Sequence, residues 1–156
     1  MDPRLIADVN AAEGRKRCAY KDSLGNWTAG VGHELPKGQD YTNICYADAQ
    51  IDAWLVTDLE EALRDASVLA EWSHLTTPCR QNAVIELVFN MGVGTWRQFT
   101  KTRASIIVEN WTLAAIELLS STWAKEVGAG RANRLARYLS SGFYPADPPI
   151  PPRRPA

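Results

Sequence analysis

Glu13 is the residue whose placement first suggests chemistry. Leu5, Val9 and Glu13 are spaced by four, so they share one face of a short helix predicted over residues 3–13 and ended by Gly14. An apolar stripe therefore ends in a carboxyl group. Burial and the negative end of the helix dipole would both favour its protonated form, which a general acid requires. The alternative is a solvated carboxylate at a frayed helix end.

A second carboxylate, Asp22, follows where a β-hairpin is predicted to turn. The stretch 18–32 has the pattern of two strands that flank a turn containing Gly and Asn. Alternation places Thr28, Gly30 and Gly32 on one side of the second strand. We interpret this bare face as a surface for a large ligand such as a sugar ring, although the glycines would also relieve twist or crowding. A protected acid opposite a wetter carboxylate is the requirement for glycoside hydrolysis.

The composition of the chain excludes several other classes of protein. Its 156 residues are 46% hydrophobic and 22% charged, which indicates a globular protein and neither disorder nor a membrane protein. The net charge is −1 with no long run of one sign, so we expect no nucleic-acid partner and no stable membrane insertion. Because the first residues lack the apolar run of a signal peptide, we expect synthesis as a soluble cytoplasmic chain.

The cysteines and histidines point away from metal and thiol chemistry. Cys18, Cys45 and Cys79 form an odd set without CxxC spacing, which argues against a disulfide framework or a zinc site, and we interpret them as buried thiols. With only His33 and His74, a multi-histidine metal centre is excluded and a Ser-His-Asp site is disfavoured. The residues therefore favour carboxylate chemistry.

The elements around these residues are mostly helical. A loop over 34–46 precedes a long helix over 47–70, whose length suggests that it joins two lobes. Apolar periodicity predicts a bundle of further helices, one ending at Gly92 and the others over 97–109, 112–123 and 131–141. The proline-rich tail over 145–156 is expected to be extended or disordered, with a proline-motif ligand as a weaker alternative.

The order of these residues resembles an active-site signature. Glu13-Gly14, Tyr20-Lys21-Asp22, Gly25 and the run Trp27 to His33 resemble the phage-type lysozymes, the muramidases of glycoside hydrolase family 24. The family's Glu, Asp and Thr are matched by Glu13, Asp22 and Thr28 at the family's own spacing. The resemblance covers all but the tail, since further matches fall in family order: Phe89 to Gly92, Phe99-Thr100, Trp111, Trp123 and Arg131 to Arg134.

The resemblance implies an α+β, mostly α, lysozyme-like fold. It implies one catalytic domain over 1–144, in which a small lobe with the hairpin is joined by the long helix to a helical lobe and a cleft holds the glycan. The small lobe would cover about 14–46, the connecting helix about 47–70 and the helical lobe about 71–144, with the helix over 3–13 packing at the cleft.

The mechanism implied by the resemblance is cleavage of the β-1,4 bond from N-acetylmuramic acid to N-acetylglucosamine, usually with inversion. Glu13 would protonate the leaving oxygen, while Asp22 and Thr28 would position and activate the attacking water. Asp22 would also stabilise the oxocarbenium-like transition state. No metal or organic cofactor would be needed.

Supporting residues are also implied. Arg131 matches a family arginine that pairs with the catalytic Glu, with an ordinary surface cation as the alternative, and His33 would pair with Asp58 in a structural role. Trp123 would face either the sugar or the core. Ala12 stands where some relatives have an Asp, so an ion pair to that position is missing. The expected glycan contacts are Phe89 in the cleft floor and, near family sugar contacts, Glu34, Thr102 and Glu117.

Other readings of the same residues remain open. A lytic transglycosylase would use a single Glu and release an anhydro-sugar, a chitinase-like enzyme would prefer chitin, and an inactive wall-binding module would keep only the cleft. The presence of Asp22 and Thr28 beside Glu13 argues against the first and the last. The family further implies an endolysin that acts as a monomer on periplasmic peptidoglycan, reaches it through a holin and lyses the host cell.

Overall fold

The computed structural model describes residues 1–146 and divides into two compact units. The first unit consists of Met1–Ser67 with Ile85–Val93, and the second of Val68–Val84 with the described residues from Gly94 onward. Helices dominate, and a small antiparallel sheet lies in the first unit, which confirms the predicted α+β, mostly α, class. The predicted assignment of lobes and connecting helix stays a prediction. From residue 147 on, the predicted tail lies outside the described residues.

The first helix forms where the sequence predicts it. Helix α1 covers Pro3–Glu13, and the side chain of Asp2 caps its start by accepting a hydrogen bond from a backbone N–H of the first turn. Leu5 and Val9 are buried. Gly14 ends the helix with φ +73°, a conformation that a residue with a Cβ adopts at a cost. This stop places the carboxyl group of Glu13 at the helix end.

The predicted hairpin is confirmed and carries a third strand that was not predicted. Strands β1 (Lys16–Lys21), β2 (Trp27–Gly30) and β3 (His33–Glu34) pair antiparallel in the order β1-β2-β3. The second strand was expected to run to residue 32, but the backbone turns there because Gly32 has φ +76°. That turn brings His33 back along β2, opposite Ala29.

The interpretation of all three cysteines as buried thiols is wrong for two of them. Cys18 and Cys45 form a disulfide, and both residues are exposed. The segment 44–46 runs antiparallel along the outer edge of β1, and backbone hydrogen bonds of 2.8 and 2.9 Å flank the cysteine pair. This pairing of distant segments places the two thiols opposite each other. Cys79 is a buried free thiol, as predicted.

Helix α2 (Asp48–Ser67) packs on the sheet of the first unit. It lies within the helix predicted over 47–70, and its buried face repeats at helical spacing through Ile51, Leu55, Leu59, Ala62 and Ala66. Arg15, between α1 and β1, donates hydrogen bonds to Asp48 and Asp52 in the first turns of α2. These contacts therefore join α2 to the part of the chain that contains the hairpin.

The remaining helices agree with the predicted bundle, but two of the predicted helices are broken. A 3₁₀ turn at Trp72–His74 is followed by α3 (Pro78–Met91), α4 (Val93–Arg97), α5 (Thr100–Ile107), α6 (Trp111–Leu119), α7 (Thr122–Val127) and α8 (Ala129–Ser141).

Local capping explains one of these breaks. The predicted helix over 112–123 divides at Ser121, whose hydroxyl accepts a hydrogen bond from the backbone N–H of Ala124 and so starts a new helix. The core of the second unit includes the fully buried Trp96, Leu118, Leu135 and Leu139. No helix within residues 1–146 is long and apolar enough to cross a membrane.

Candidate active site

Glu13 lies at the end of α1, where its carboxyl group is exposed. The apolar stripe that leads to it is buried at Leu5 and Val9, but Glu13 itself is exposed, so the expectation of a buried carboxyl group is wrong. Gly14 turns the chain away directly after it. Asn90, near the end of α3 in the same unit, donates a hydrogen bond of 3.0 Å from its side-chain nitrogen to Oε1 of Glu13. The carboxyl group is thus oriented by an amide while remaining open to a ligand.

A cavity of about 450 Å³ in the first unit includes Glu13 in its lining. Its lining combines carboxylates from several elements with apolar side chains. The predicted glycan contacts Phe89 and Glu34 line it, as do Gly32 and His33. The other polar lining residues are Asp58, Glu61, Asp65 and Asn90, and the apolar ones include Ala62 and Val88. Asp22 and Thr28 are not part of this lining.

Asp22 stands at the hairpin turn, held by the backbone of the turn. Its Oδ1 accepts hydrogen bonds from the backbone N–H groups of Leu24 at 2.9 Å and Asn26 at 2.8 Å. Its own N–H donates to the carbonyl of Asn26, which extends the pairing of the two strands by one step. Within residues 1–146, Oδ2 accepts no hydrogen bond. The turn therefore fixes one carboxylate oxygen and leaves the other for solvent or a ligand.

Thr28 is held on the sheet face next to this turn. Its side chain is buried, with 5% of the residue exposed, and its hydroxyl donates to the carbonyl of Asn26 at 3.3 Å. Because that hydrogen is directed to the backbone, the lone pairs of the Thr28 oxygen are the part that would accept from a ligand.

Tyr20 connects the three predicted catalytic residues, although the sequence reasoning gave it no role. Tyr20 lies directly opposite Thr28 in the β1–β2 register, so the two side chains share a face of the sheet. Burial raises the pKa of the Tyr20 phenol, and the negative charges of Asp22 and Glu13 raise it further. Asp22 and Glu13 are thus the two charged groups that act on this phenol. The available signal was its position two residues before Asp22 on the predicted strand.

The interpretation of Gly30 and Gly32 as a bare face for sugar is wrong for Gly30. A Cβ at Gly30 would lie 2.9 Å from Cγ2 of Ile51, so this glycine is needed for the packing of α2 on β2. Gly32 lines the cavity, and no atom lies within 4 Å of the position of its Cβ, but its φ of +76° requires glycine for the turn into β3. The alternative of relieved crowding is thus correct at Gly30.

The predicted pairing of His33 with Asp58 is confirmed. The Nδ1 atom of His33 lies 2.9 Å from Oδ2 of Asp58 on α2, and the imidazole ring stacks on Trp54 with ring centroids 4.5 Å apart. Both side chains are partly buried. This contact attaches β3 to α2 and so holds the cavity wall that contains Gly32 and Glu34.

The other predicted residues lie in the second unit. Thr102 on α5 is only 2% exposed, which leaves little of its side chain for a ligand. Glu117 on α6 and Arg131 on α8 are half-buried. Their proposed roles toward the glycan and toward Glu13 stay predictions. Trp123 is 7% exposed, which favours its assignment to the core. Within residues 1–146, no three His, Cys, Asp or Glu side chains are arranged so that they could hold a metal ion.

Comparison with known proteins identifies the family. The family model described as phage lysozyme matches residues 10–137, a range that contains Glu13, Asp22 and Thr28. Two relatives from Dictyostelium discoideum, described as probable T4-type lysozymes 2 and 1, are 26% and 27% identical. Each alignment covers 83% of this chain and 89% of the relative. The chain therefore belongs to the phage lysozyme family and is a glycoside hydrolase with lysozyme activity.

Proposed function

We propose that the protein hydrolyses the β-1,4 bond between N-acetylmuramic acid and N-acetylglucosamine in peptidoglycan. Glu13 acts as the general acid, and Asp22 and Thr28 position and activate the attacking water. The observation that carries this assignment is that the carboxyl group of Glu13 is exposed, lines a cavity and is oriented by Asn90. Membership of a family that acts on peptidoglycan supports the choice of substrate.

Each group is suited to a different part of the reaction. Glu13 is exposed and oriented by Asn90, so an incoming glycosidic oxygen has access to its proton. Asp22 accepts two backbone hydrogen bonds on Oδ1, and these hold the carboxylate in place while Oδ2 stays available to accept a hydrogen from water. The Thr28 hydroxyl donates to the backbone, so its oxygen accepts a hydrogen from the same water. One group gives a proton while two groups direct the nucleophile.

A water positioned by Asp22 and Thr28 leads to inversion at the anomeric carbon. In inverting enzymes the acid and the base stand far enough apart to leave room for water on the opposite ring face. Proton NMR of a freshly cleaved glycan measures the configuration before mutarotation. A product with the α configuration supports this course, and a β product contradicts it.

The central test is the replacement of Glu13 by Gln. We expect Glu13→Gln to abolish the clearing of chloroform-treated Gram-negative cells, because the amide has no proton to give, while the circular dichroism spectrum is unchanged. Glu109→Gln makes the same chemical change at an exposed carboxylate of the second unit and is expected to leave activity intact. Normal lysis by Glu13→Gln would refute the assignment.

Product analysis separates hydrolysis from the alternatives. Mass spectrometry of the digested wall is expected to show reducing muramic-acid ends, whereas a 1,6-anhydro end would identify a lytic transglycosylase. Chitin assayed beside peptidoglycan tests the chitinase-like preference.

Asp22→Asn is expected to lose most of the activity while still binding glycan, and normal turnover would remove Asp22 from the mechanism.

The proposed biological role is that of an endolysin that lyses a bacterial host and acts as a monomer. It is made in the cytoplasm and reaches the periplasmic wall through a holin. Family membership supports this role, and the two Dictyostelium relatives make a direct test necessary. Expression in a Gram-negative host with and without a holin is expected to cause lysis only with it. Lysis without the holin contradicts that dependence, and size-exclusion chromatography tests the monomer.

A further inference from the structure

The hydroxyl group of Tyr20 forms no hydrogen bond with any other group of residues 1–146, although the residue is half-buried. Elsewhere in the same unit, the hydroxyl of Tyr41 donates to the carbonyl of Pro36 at 3.1 Å. A phenol that is partly removed from solvent usually has a hydrogen-bond partner, because an unmade bond costs free energy. The partner of Tyr20 therefore has to be water or a ligand.

The ring of Tyr20 is fixed from two sides. Thr28 lies opposite it on the neighbouring strand, and Nζ of Lys16 lies 4.1 Å from the ring centroid. Asp22 follows two residues later, after the strand pairing has continued through the hydrogen bond from its N–H. Side chains two residues apart on a strand point to the same side. The phenol is thus held on the sheet face that bears Thr28 and Asp22.

The phenol is a hydrogen-bond donor among acceptors. Carboxylates have no hydrogen to give when ionised, and the Thr28 hydroxyl already directs its own hydrogen to the backbone. Burial and then the charges of Asp22 and Glu13 raise the pKa of Tyr20, so the phenol keeps its proton at neutral pH. A glycan offers many oxygen acceptors, and the phenol can donate to them, whereas the Thr28 hydroxyl and an ionised carboxylate cannot.

We propose that Tyr20 is a substrate-binding residue whose hydroxyl donates a hydrogen bond to an oxygen of the sugar held between Glu13 and Asp22. This inference rests on the proposed function, since it needs the glycan to bind at these carboxylates. A purely structural role for Tyr20 would involve only its ring, which covers the sheet face beside Thr28 and Lys16.

Removal of the hydroxyl alone distinguishes the two roles. Tyr20→Phe keeps the ring, so a structural role predicts wild-type kinetics. Loss of one uncharged hydrogen bond to the ligand predicts that kcat/KM for soluble peptidoglycan falls by about 3- to 10-fold, mainly through KM. The melting temperature is expected to be unchanged because the hydroxyl has no protein partner. Wild-type kcat/KM would overturn the inference, as would a loss accompanied by a lower melting temperature.

Tyr41→Phe is the matched control. It removes a hydroxyl from the same unit, but one that is bonded to Pro36, so it is expected to lower the melting temperature and leave KM unchanged. If Tyr41→Phe raised KM as much as Tyr20→Phe, the effect would not be specific to Tyr20 and the inference would fail.

A binding measurement separates this inference from the proposed function. In a Glu13→Gln background, calorimetry with a soluble muropeptide tetrasaccharide is expected to show that Tyr20→Phe raises Kd by about 3- to 10-fold. An unchanged Kd in an inactive background would overturn the role of Tyr20 and leave the proposed catalysis intact. Activity that survives Glu13→Gln would instead remove the catalytic assignment.

Discussion

The side chain of Asn90 donates a hydrogen bond of 3.0 Å to Oε1 of Glu13, so an amide at the end of α3 orients the carboxyl group at the end of α1. An acid that protonates a leaving oxygen has to point at it, and small misplacements of a catalytic group are costly. We expect Asn90→Leu to lower kcat by about tenfold with little change in KM, because the orientation is lost while the glycan surface remains.

Two measurements complete this prediction. Kinetics on soluble peptidoglycan give kcat and KM, and thermal unfolding shows whether the variant retains its fold. Asn90→Gln keeps an amide on a longer side chain and is expected to recover part of the activity. A wild-type kcat in Asn90→Leu would mean that the orientation of Glu13 does not depend on this amide.

The titration of Tyr20 tests the geometry of the site without an activity assay. Negative charge on Asp22 and Glu13 disfavours the phenolate, so the pKa of Tyr20 is expected to fall toward its ordinary value in Asp22→Asn and in Glu13→Gln. Absorbance of the phenolate, or NMR of labelled tyrosine, measures the change. Burial and then Tyr41 raise the pKa of Tyr46, which should not respond and serves as an internal control. If the pKa of Tyr20 were unchanged in both variants, the carboxyl groups of Asp22 and Glu13 would not lie close to the phenol.

Local patterns were sufficient to predict α1 and the hairpin. The i, i+4 spacing of Leu5 and Val9 and the stop at Gly14 are short-range features, and the helix indeed ends at Glu13. The spacing of Glu13, Asp22 and Thr28 depends on the same local elements. For this reason the candidate residues could be named before the structure was known.

Features that depend on distant partners could not be predicted in this way. The Cys18–Cys45 bond requires segment 44–46 to lie along β1, and no local pattern signals that pairing. The burial expected at Glu13 failed because apolar spacing does not specify where a packed surface ends. Gly30 was assigned to ligand binding because local sequence does not reveal its contact with Ile51, which lies on a helix later in the chain.

The two glycines of the hairpin are expected to respond differently to substitution. Gly30→Ala would bring its Cβ to 2.9 Å from Ile51 and also requires a positive φ, whereas Gly32→Ala meets only the backbone cost. We expect Gly30→Ala to destabilise the fold by about 3 kcal/mol and Gly32→Ala by about 1 kcal/mol, measured by urea unfolding. Shortening the neighbour in Gly30→Ala/Ile51→Val should restore part of the loss. Equal costs at the two positions would exclude the packing explanation.

The disulfide is expected to stabilise the first unit. It closes a loop with a sequence separation of 27, for which chain entropy predicts a contribution of about 3–4 kcal/mol. The double variant Cys18→Ser/Cys45→Ser should lose this amount in urea unfolding, and reductant should destabilise the parent protein but not the variant. Thiol titration is expected to detect only Cys79 after unfolding without reductant. Three reactive thiols under those conditions would contradict the bond.

A buried ion pair in the second unit should make stability depend on acid pH. The side chain of Glu71 is 1% exposed. Its carboxyl group accepts hydrogen bonds from Arg103 at 2.7 and 3.0 Å and from Trp96 at 2.8 Å. Burial would raise the pKa of Glu71, but the bonds from Arg103 and Trp96 outweigh it and hold the pKa below its ordinary value. Folding therefore favours the ionised carboxylate.

The sign of the pH effect follows from this lowered pKa. A group of this kind contributes its full stabilisation above its unfolded-state pKa of about 4.3 and loses it as the pH falls through the folded-state value. Glu71→Gln is expected to cost about 3 kcal/mol at pH 7, with the gap to the parent protein closing below about pH 4. Glu109→Gln, which alters an exposed carboxylate, should show no such gap at either pH. Loss of a titrating charge makes the difference in unfolding free energy between Glu71→Gln and the parent protein depend on pH. If that difference were the same at both pH values, the destabilisation would come from altered packing instead.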